Sequence, residues 1–218
     1  MAEFPSGPVS PRDFFEGFLP EAVAETGFTG AFQALGLPLG VRLDGKGGGE
    51  WLLELRRGSL CVERGSRAAA AFTVVQSVDD WRGALWEGRG GAIGRHAAGV
   101  FRPGDGAATR IAELVADAAT AFARAQELAA LLRVSITGGD GGDWSLGLML
   151  GPGEIPAEAT TQVSLRCEDA DAMLQGELSP LEAFMGGRIQ IAGDVTLLMQ
   201  LQAIQMQAAD AARSRDSS

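Results

Sequence analysis

Apolar and polar residues alternate along two short stretches of the chain, Val41–Leu43 and Trp51–Leu53–Leu55, with the two-residue period of strands that bury one face. The run between them is rich in glycine, which takes positive φ without steric cost and suits a hairpin turn. The same pattern returns further on: "GKGGGEWLLEL" (45–55) aligns with "GGDGGDWSLGL" (138–148), Trp51 falling on Trp144. At that offset Val41 meets Val134, Leu43 meets Ile136, Glu50 meets Asp143, Leu53 meets Leu146, Leu55 meets Leu148 and Val62 meets Ile155. An ordered match of acidic, aromatic and apolar positions is the signature of an internal repeat. A further strand follows in each copy, at "AFTVV" (71–75) and "VSLRC" (163–167), and then a helix with an acidic start.

Helices also open each copy. Ser10-Pro11-Arg12-Asp13 supplies a cap, a proline for the first turn and an acidic residue ahead of "FFEGFL". Residues 107–132 carry Ile111, Leu114, Val115, Ala118, Phe122, Leu128 and Leu132 at helical spacing, which predicts one long amphipathic helix. It starts just after "RPGDGA", the strongest boundary signal, so the chain divides into units 1–103 and 104–218. In the second unit Ser179-Pro180-Leu181-Glu182 reads as a capping box, Gly186-Gly187 as a stop, and Arg188–Ile191 as a short strand. The segment from Asp194, "VTLLMQLQAIQMQAA", is helical and apolar on more than one face, which predicts burial on most of its sides. Antiparallel strands followed by helices make an α+β fold.

Composition narrows the function. With 218 residues, 46% hydrophobic and 21% charged, the chain can bury a real core. A net charge of −10 works against nucleic acid or an anionic membrane as partner. Lys46 is the sole lysine, which leaves almost no candidate for Schiff-base chemistry. Cys61 and Cys167 read as small core hydrophobes in strands, and the "MAEFPSGPVSP" start has neither the basic residue nor the apolar run of a signal peptide. No stretch reaches the ~18 apolar residues of a membrane span. The expected compartment is the cytoplasm.

Several chemical patterns fail on inspection. "GGDGGD" (138–143) begins like a calcium nonapeptide but has Ser145 at the apolar eighth position and no tandem stack. "GRGGAIGR" (88–95) lacks the spacing of a phosphate loop and reads as a flexible surface segment. His96, the only histidine, reads as a loop residue without a nucleophile to serve. Asp169 and Asp171 suit cap and dipole roles at a helix start better than an acid/base pair. Trp81 and Trp86 are expected either to line a cavity or, preferably, to pack the two units together. No catalytic residue, metal site or cofactor is expected.

Residues 163–204, "VSLRCEDADAMLQGELSPLEAFMGGRIQIAGDVTLLMQLQAI", resemble the core of the SCP2 sterol-binding domain family. The likeness rests on the L-x-P-x-x-A-F helix (Leu178, Pro180, Ala183, Phe184), the G-R-I-x-I-x-G strand (Gly187, Arg188, Ile189, Ile191, Gly193) and the apolar last helix with Leu201. The first unit matches only the front half of the pattern and departs after Gly88, so the resemblance implies tandem SCP2-like units, the second regular and the first degenerate. It further implies an apolar tunnel between a twisted, mostly antiparallel sheet and its helices, holding a sterol, fatty acid, acyl-CoA or similar lipid without catalysis. The residues expected to line it are Leu146, Leu148, Val163, Leu165, Met173, Leu174, Phe184, Met185, Ile189, Ile191, Val195, Leu198, Met199, Leu201 and Gln202. Arg188 and the glutamines 200, 202 and 205 would orient a head group at its mouth. Met149, Met173, Met185, Met199 and Met206 would adapt to varied ligand shapes. The alternative is a self-filled cavity in a structural or assembly partner of a lipid- or isoprenoid-quinone-modifying enzyme system. A homodimer is left open.

Overall fold

In the computed structural model, residues 3–26, 37–56, 59–65, 69–99 and 123–216 are described. Eight strands form one sheet: β1 (Leu39–Asp44), β2 (Gly49–Arg56), β3 (Ser59–Arg64), β4 (Phe72–Ser77), β5 (Leu131–Thr137), β6 (Trp144–Leu150), β7 (Thr161–Arg166) and β8 (Ile189–Gly193). Their spatial order is β3-β2-β1-β4-β6-β5-β7-β8. Five of the seven pairings are antiparallel, and β1–β4 and β5–β7 are parallel. The helices are α1 (a π-helical stretch Asp13–Phe18 running into Leu19–Thr26), α2 (Val78–Arg82 continuing through Gly83–Glu87), α3 (Gly91–Gly99), α4 (Cys167–Leu174), α5 (Pro180–Met185) and α6 (Val195–Asp216).

The two expected hairpins are present as β1–β2 and β5–β6, and each is followed by a parallel strand and a helix. Their registers differ by two residues. Val41 stands opposite Trp51, whereas Val134 stands opposite Leu146 and Ile136 opposite Trp144. A shift of two keeps every side chain on its face, because the strand period is two. The apolar set therefore forms one continuous surface, from Leu53 and Val41 across Val74 and Leu148 to Val134, Val163 and Ile191. Both repeated tryptophans are buried on it with their indole N–H satisfied. Trp51 stacks on Phe15 at 5.0 Å and donates to Glu16 at 3.1 Å; Trp144 donates to the Asp80 carbonyl at 3.2 Å.

The sheet does not stop at the expected unit boundary. β4 pairs antiparallel with β6 over Phe72↔Leu150, Thr73↔Met149, Val74↔Leu148 and Val75↔Gly147. The Gly151 N–H donates to the Ala71 carbonyl at 2.8 Å, and the Gln76 amide donates to the Ser145 carbonyl at 3.0 Å. The first half has a third hairpin strand, β3, where residues 151–160 of the second half form none, so Val62 and Ile155 do not correspond structurally. The second half has β8, and among the described residues no strand follows β4 within the first half. Each half thus presents its incomplete side to the other.

Several expectations change here. The helix predicted over 107–132 ends by Leu128: Ala129 turns left-handed at φ 46°, and Leu131 and Leu132 enter β5 opposite Met149 and Leu148. Residues 107–122 of that prediction lie outside the described residues. Cys167 is not in a strand but opens α4. The "GRGGAIGR" segment is not flexible surface, and His96 is not in a loop: both belong to α3 or its start. Gly90 and Gly91 have positive φ, and a Cβ there would come within 2.8 Å of Trp144 and 2.4 Å of the Cys167 sulfur. The Ala92 N–H donates to Asp171 at 2.8 Å, so a carboxylate from α4 occupies the start of α3. Trp81 and Trp86 lie in or against the main core. Their ring contacts are with Phe4, Phe14, Phe15 and one another, because α1 and the N-terminal segment bring three phenylalanines there.

The seam between halves is tight at one point. A Cβ on Gly147 would lie 3.1 Å from the Val75 Cβ and 3.2 Å from its carbonyl oxygen. Gly147→Leu is expected to lower the unfolding free energy by about 1–3 kcal/mol through overpacking. Urea denaturation checks this, and an unchanged midpoint would show that the seam is not packed as described.

Candidate functional site

The local sequence of the second half fixes α5, β8 and α6 in turn. At α5 the Ser179 hydroxyl accepts from the Glu182 N–H at 3.2 Å, and the Glu182 carboxylate accepts from the Ser179 N–H at 3.2 Å, with Pro180 in the first turn. This is the expected capping box. Ala183 is fully buried beneath the helix. Gly187, at φ 69°, ends it and leads into β8, which pairs with β7 in the register Val163↔Ile191 and Leu165↔Ile189. Gly193 cannot carry a side chain, since a Cβ would meet the Thr160 carbonyl oxygen at 2.3 Å. Asp194 then caps α6 by accepting from the Thr196 N–H at 2.8 Å.

α6 is two-sided, as its sequence indicates, but only one side is covered. Leu197 is 2% exposed, and Leu201 packs with it against Phe72, Leu148 and Leu150 of the sheet. On the other side Val195, Met199 and Met206, spaced i, i+4 and i+11, are 43%, 67% and 61% exposed, with Gln202 between them. The expectation that α6 is buried on most sides is therefore corrected: helical period shows how many faces are apolar, not how many find partners. Leu174, Leu181, Phe184 and Met185 are also at least half exposed. Every large hydrophobic side chain that is exposed among the described residues lies between Leu174 and Met206.

The expected lining residues consequently fall into groups. Leu165 is buried, and Leu146, Val163, Met173 and Ile189 pack at the margin of the main core. Leu148 and Leu201 belong to the second cluster beneath α6. Ile191 and Leu198 are half-buried. Leu174, Phe184, Met185, Val195, Met199 and Gln202 face outward rather than into a closed tunnel. Met149 lies on the opposite face of the sheet, with Val75 and Leu131. Among the described residues these side chains divide between a cored sheet face and exposed apolar positions on α4, α5 and α6.

A cleft of about 680 Å³ opens at the end of β7 and the start of β8. Its lining is mixed, with polar side chains of Thr137, Ser164, Arg166, Glu168, Asp169 and Arg188 beside Leu165 and Ala172, and of the expected apolar residues only Leu165 reaches it. Arg188 donates to buried Asp169 at 3.1 Å, and Arg166 pairs with Glu168 at 3.2 Å. Sequence reasoning missed the Arg188–Asp169 pair, because nothing local joins a helix start to a strand start. Asp169 anchors Arg188 and Asp171 caps α3, so these two carboxylates have separate structural duties. The Gly-Asp loop closes on itself, Asp143 accepting from the Gly138 N–H at 3.1 Å. No group of three or more metal-ligating side chains occurs among the described residues, and no described helix is long and apolar enough to cross a membrane.

Residues 109–206 match the family model described as the SCP-2 sterol transfer family. Among curated proteins, the chain is 35% identical over 78 residues to hydroxysteroid dehydrogenase-like protein 2 of Rattus norvegicus, covering 34% of this chain and 15% of that protein. It is 32% identical over 83 residues to the protein of that name from Homo sapiens, covering 36% and 20%. The chain thus spans a fifth or less of these relatives. Solved structures with similarity include sterol carrier protein 2 from Yarrowia lipolytica in its apo form (TM-score 0.29, 18% identity, 36% of this chain and 74% of that one). Sterol carrier protein domain 2 of Helicoverpa armigera gives a TM-score of 0.28 at 21% identity, over 43% and 89%.

One pH effect follows from the capping box. Hydrogen bonds from the Ser179 hydroxyl and then its backbone N–H hold the Glu182 carboxyl below its ordinary value of 4.5. A depressed carboxyl stabilises the fold above its unfolded-state pKa and loses that contribution as pH falls through the lowered folded value. Amide protection in α5, relative to the intrinsic exchange rate at each pH, is expected to fall selectively on acidification through that window, and Glu182→Gln should remove this extra loss of protection. Equal acid sensitivity in the variant would contradict this.

Proposed function

We infer that this chain, whose residues 109–206 match the model of the SCP-2 sterol transfer family, binds and carries a hydrophobic small molecule without transforming it. The ligand is of the sterol, fatty acid or acyl-CoA class. The observation that carries the reading is the confinement of exposed large apolar side chains to residues 174–206. Large apolar side chains exposed together in one part of the fold, rather than scattered singly, suggest an interaction site. Burying a long hydrocarbon there contributes about 25 cal/mol per Å² of apolar area removed from water. Methionines 185 and 199 let the surface fit ligands of different shape, and the polar side chains of the neighbouring cleft supply groups to orient a head group. In this reading residues 104–218 are the binding unit and residues 1–103 a degenerate SCP2-like partner that extends its sheet. Two free thiols suit a reducing compartment such as the cytoplasm. The uncovered face of α6 also favours a second reading, in which it docks on a protein of a lipid- or isoprenoid-quinone-modifying system.

The exposure of these residues makes a clean test possible. Met199 was expected to be buried, so that a charge there would destabilise the fold; at 67% exposed it should not. Met185→Lys combined with Met199→Lys should leave stability within about 0.5 kcal/mol, as surface changes do. The same variant should weaken binding of a fluorescent fatty acid or sterol by about tenfold or more, the ratio that 1.4 kcal/mol produces. Unchanged binding would overturn the assigned surface. Absence of binding by the wild-type protein would replace the carrier reading with the docking one.

A further inference from the structure

The sheet has two free edges, β3 and β8, and they differ in kind. β3 carries charges that discourage another strand: Glu63 pairs with Arg56 at 3.1 Å and Arg64 lies 3.7 Å from Glu16. β8 reads Ile189-Gln190-Ile191-Ala192-Gly193, with no charge, proline or bulge to protect it. The Asp194 N–H donates to the Thr160 carbonyl at 2.8 Å. Antiparallel pairing alternates bonded and unbonded positions, so Ala192 and Gln190 also bond toward β7, while the N–H and C=O groups of Ile189 and Ile191 point away from the sheet. No strand among the described residues pairs with this edge, and Gln190 and Ala192 are exposed.

We propose that β8 pairs antiparallel with β8 of a second copy of the chain, forming a two-fold dimer centred on Ile191. In that register Ile191 faces its own counterpart, Gln190 faces Ala192, and Arg188 faces Asp194, the last pair occurring twice. Arg188 and Asp194 are exposed, of opposite sign and equidistant from Ile191, so the edge is complementary to itself. An arbitrary extended peptide would have no reason to match both ends. The two-fold axis stands perpendicular to the sheet, which keeps both helix layers on one side and brings the α5 helices beside the seam. Phe184 and Met185, 50% and 79% exposed, then add apolar area to a strand contact that is too small alone for an interface of the ~1,200 Å² class. The net charge of −10 opposes association at long range, but screening over about 8 Å at physiological salt confines that repulsion. The dimer does not depend on the carrier function, so lipid-stripped protein is expected to form it.

The test is mass by light scattering during size-exclusion chromatography of the lipid-free full chain. Wild type is expected at twice the chain mass at micromolar concentration. Gln190→Lys/Ala192→Lys and Gln190→Glu/Ala192→Glu should each run as folded monomers, because each sets like charges opposite one another. An equimolar mixture of the two should recover the dimer through Lys–Glu pairs. Monomeric wild type, dimeric Lys or Glu variants, or a mixture that stays monomeric would overturn the interface.

Discussion

Between β4 and β6, four residue pairs join a strand from the first half of the chain to one from the second. Neither half has a complete sheet. Among the described residues, the hairpin of the second half lacks the third strand that the first half places beside β2, and the first half has nothing like β8 beyond β4. Pairing β4 with β6 satisfies the backbone groups that both absences would leave open, and burying them unpaired would be costly. The positions of the remaining elements follow from this joint. It aligns the apolar faces of all eight strands on one side, and it sets α3 against α4 so that Asp171 caps the former. It also leaves β3 and β8 as the edges.

What could be read from the sequence was what local chemistry decides. The hairpins, the capping box at Ser179, the short strand β8 and the start of α6 depend on period two, glycine at positive φ, and caps within a few residues. The faces of the repeat survived even where its register did not, since a two-residue slide moves no side chain across the sheet. Features decided by distant partners were misread. Leu131 and Leu132 fit a helix in isolation but are claimed by β6. Gly90 and Gly91 look like a flexible loop until Trp144 and Cys167 arrive from the other half. The phenylalanines that Trp81 meets come from α1, far earlier in the chain.

The same distinction governs the candidate site. The apolar residues expected to close around a ligand are present, and their class was legible. Their division was not: Leu197 and Leu201 seat α6 on the sheet, and Val195, Met199 and Met206 face away from it. In the proposed carrier reading, the exposed apolar side chains of α5 and α6 take the hydrocarbon of an amphiphile, and the cleft with the ion-paired Arg166 and Arg188 takes its head group.

The central claim is that a hydrophobic ligand seats on residues 174–206. Hydrogen–deuterium exchange with and without a saturating fatty acid tests it most directly, because protection reports where ordering occurs. Slowed exchange across α5, β8 and the first turns of α6, with β1–β3 unchanged, is the predicted result. Protection confined to the first half, or no change in α5 and α6 when the ligand is bound, would contradict it.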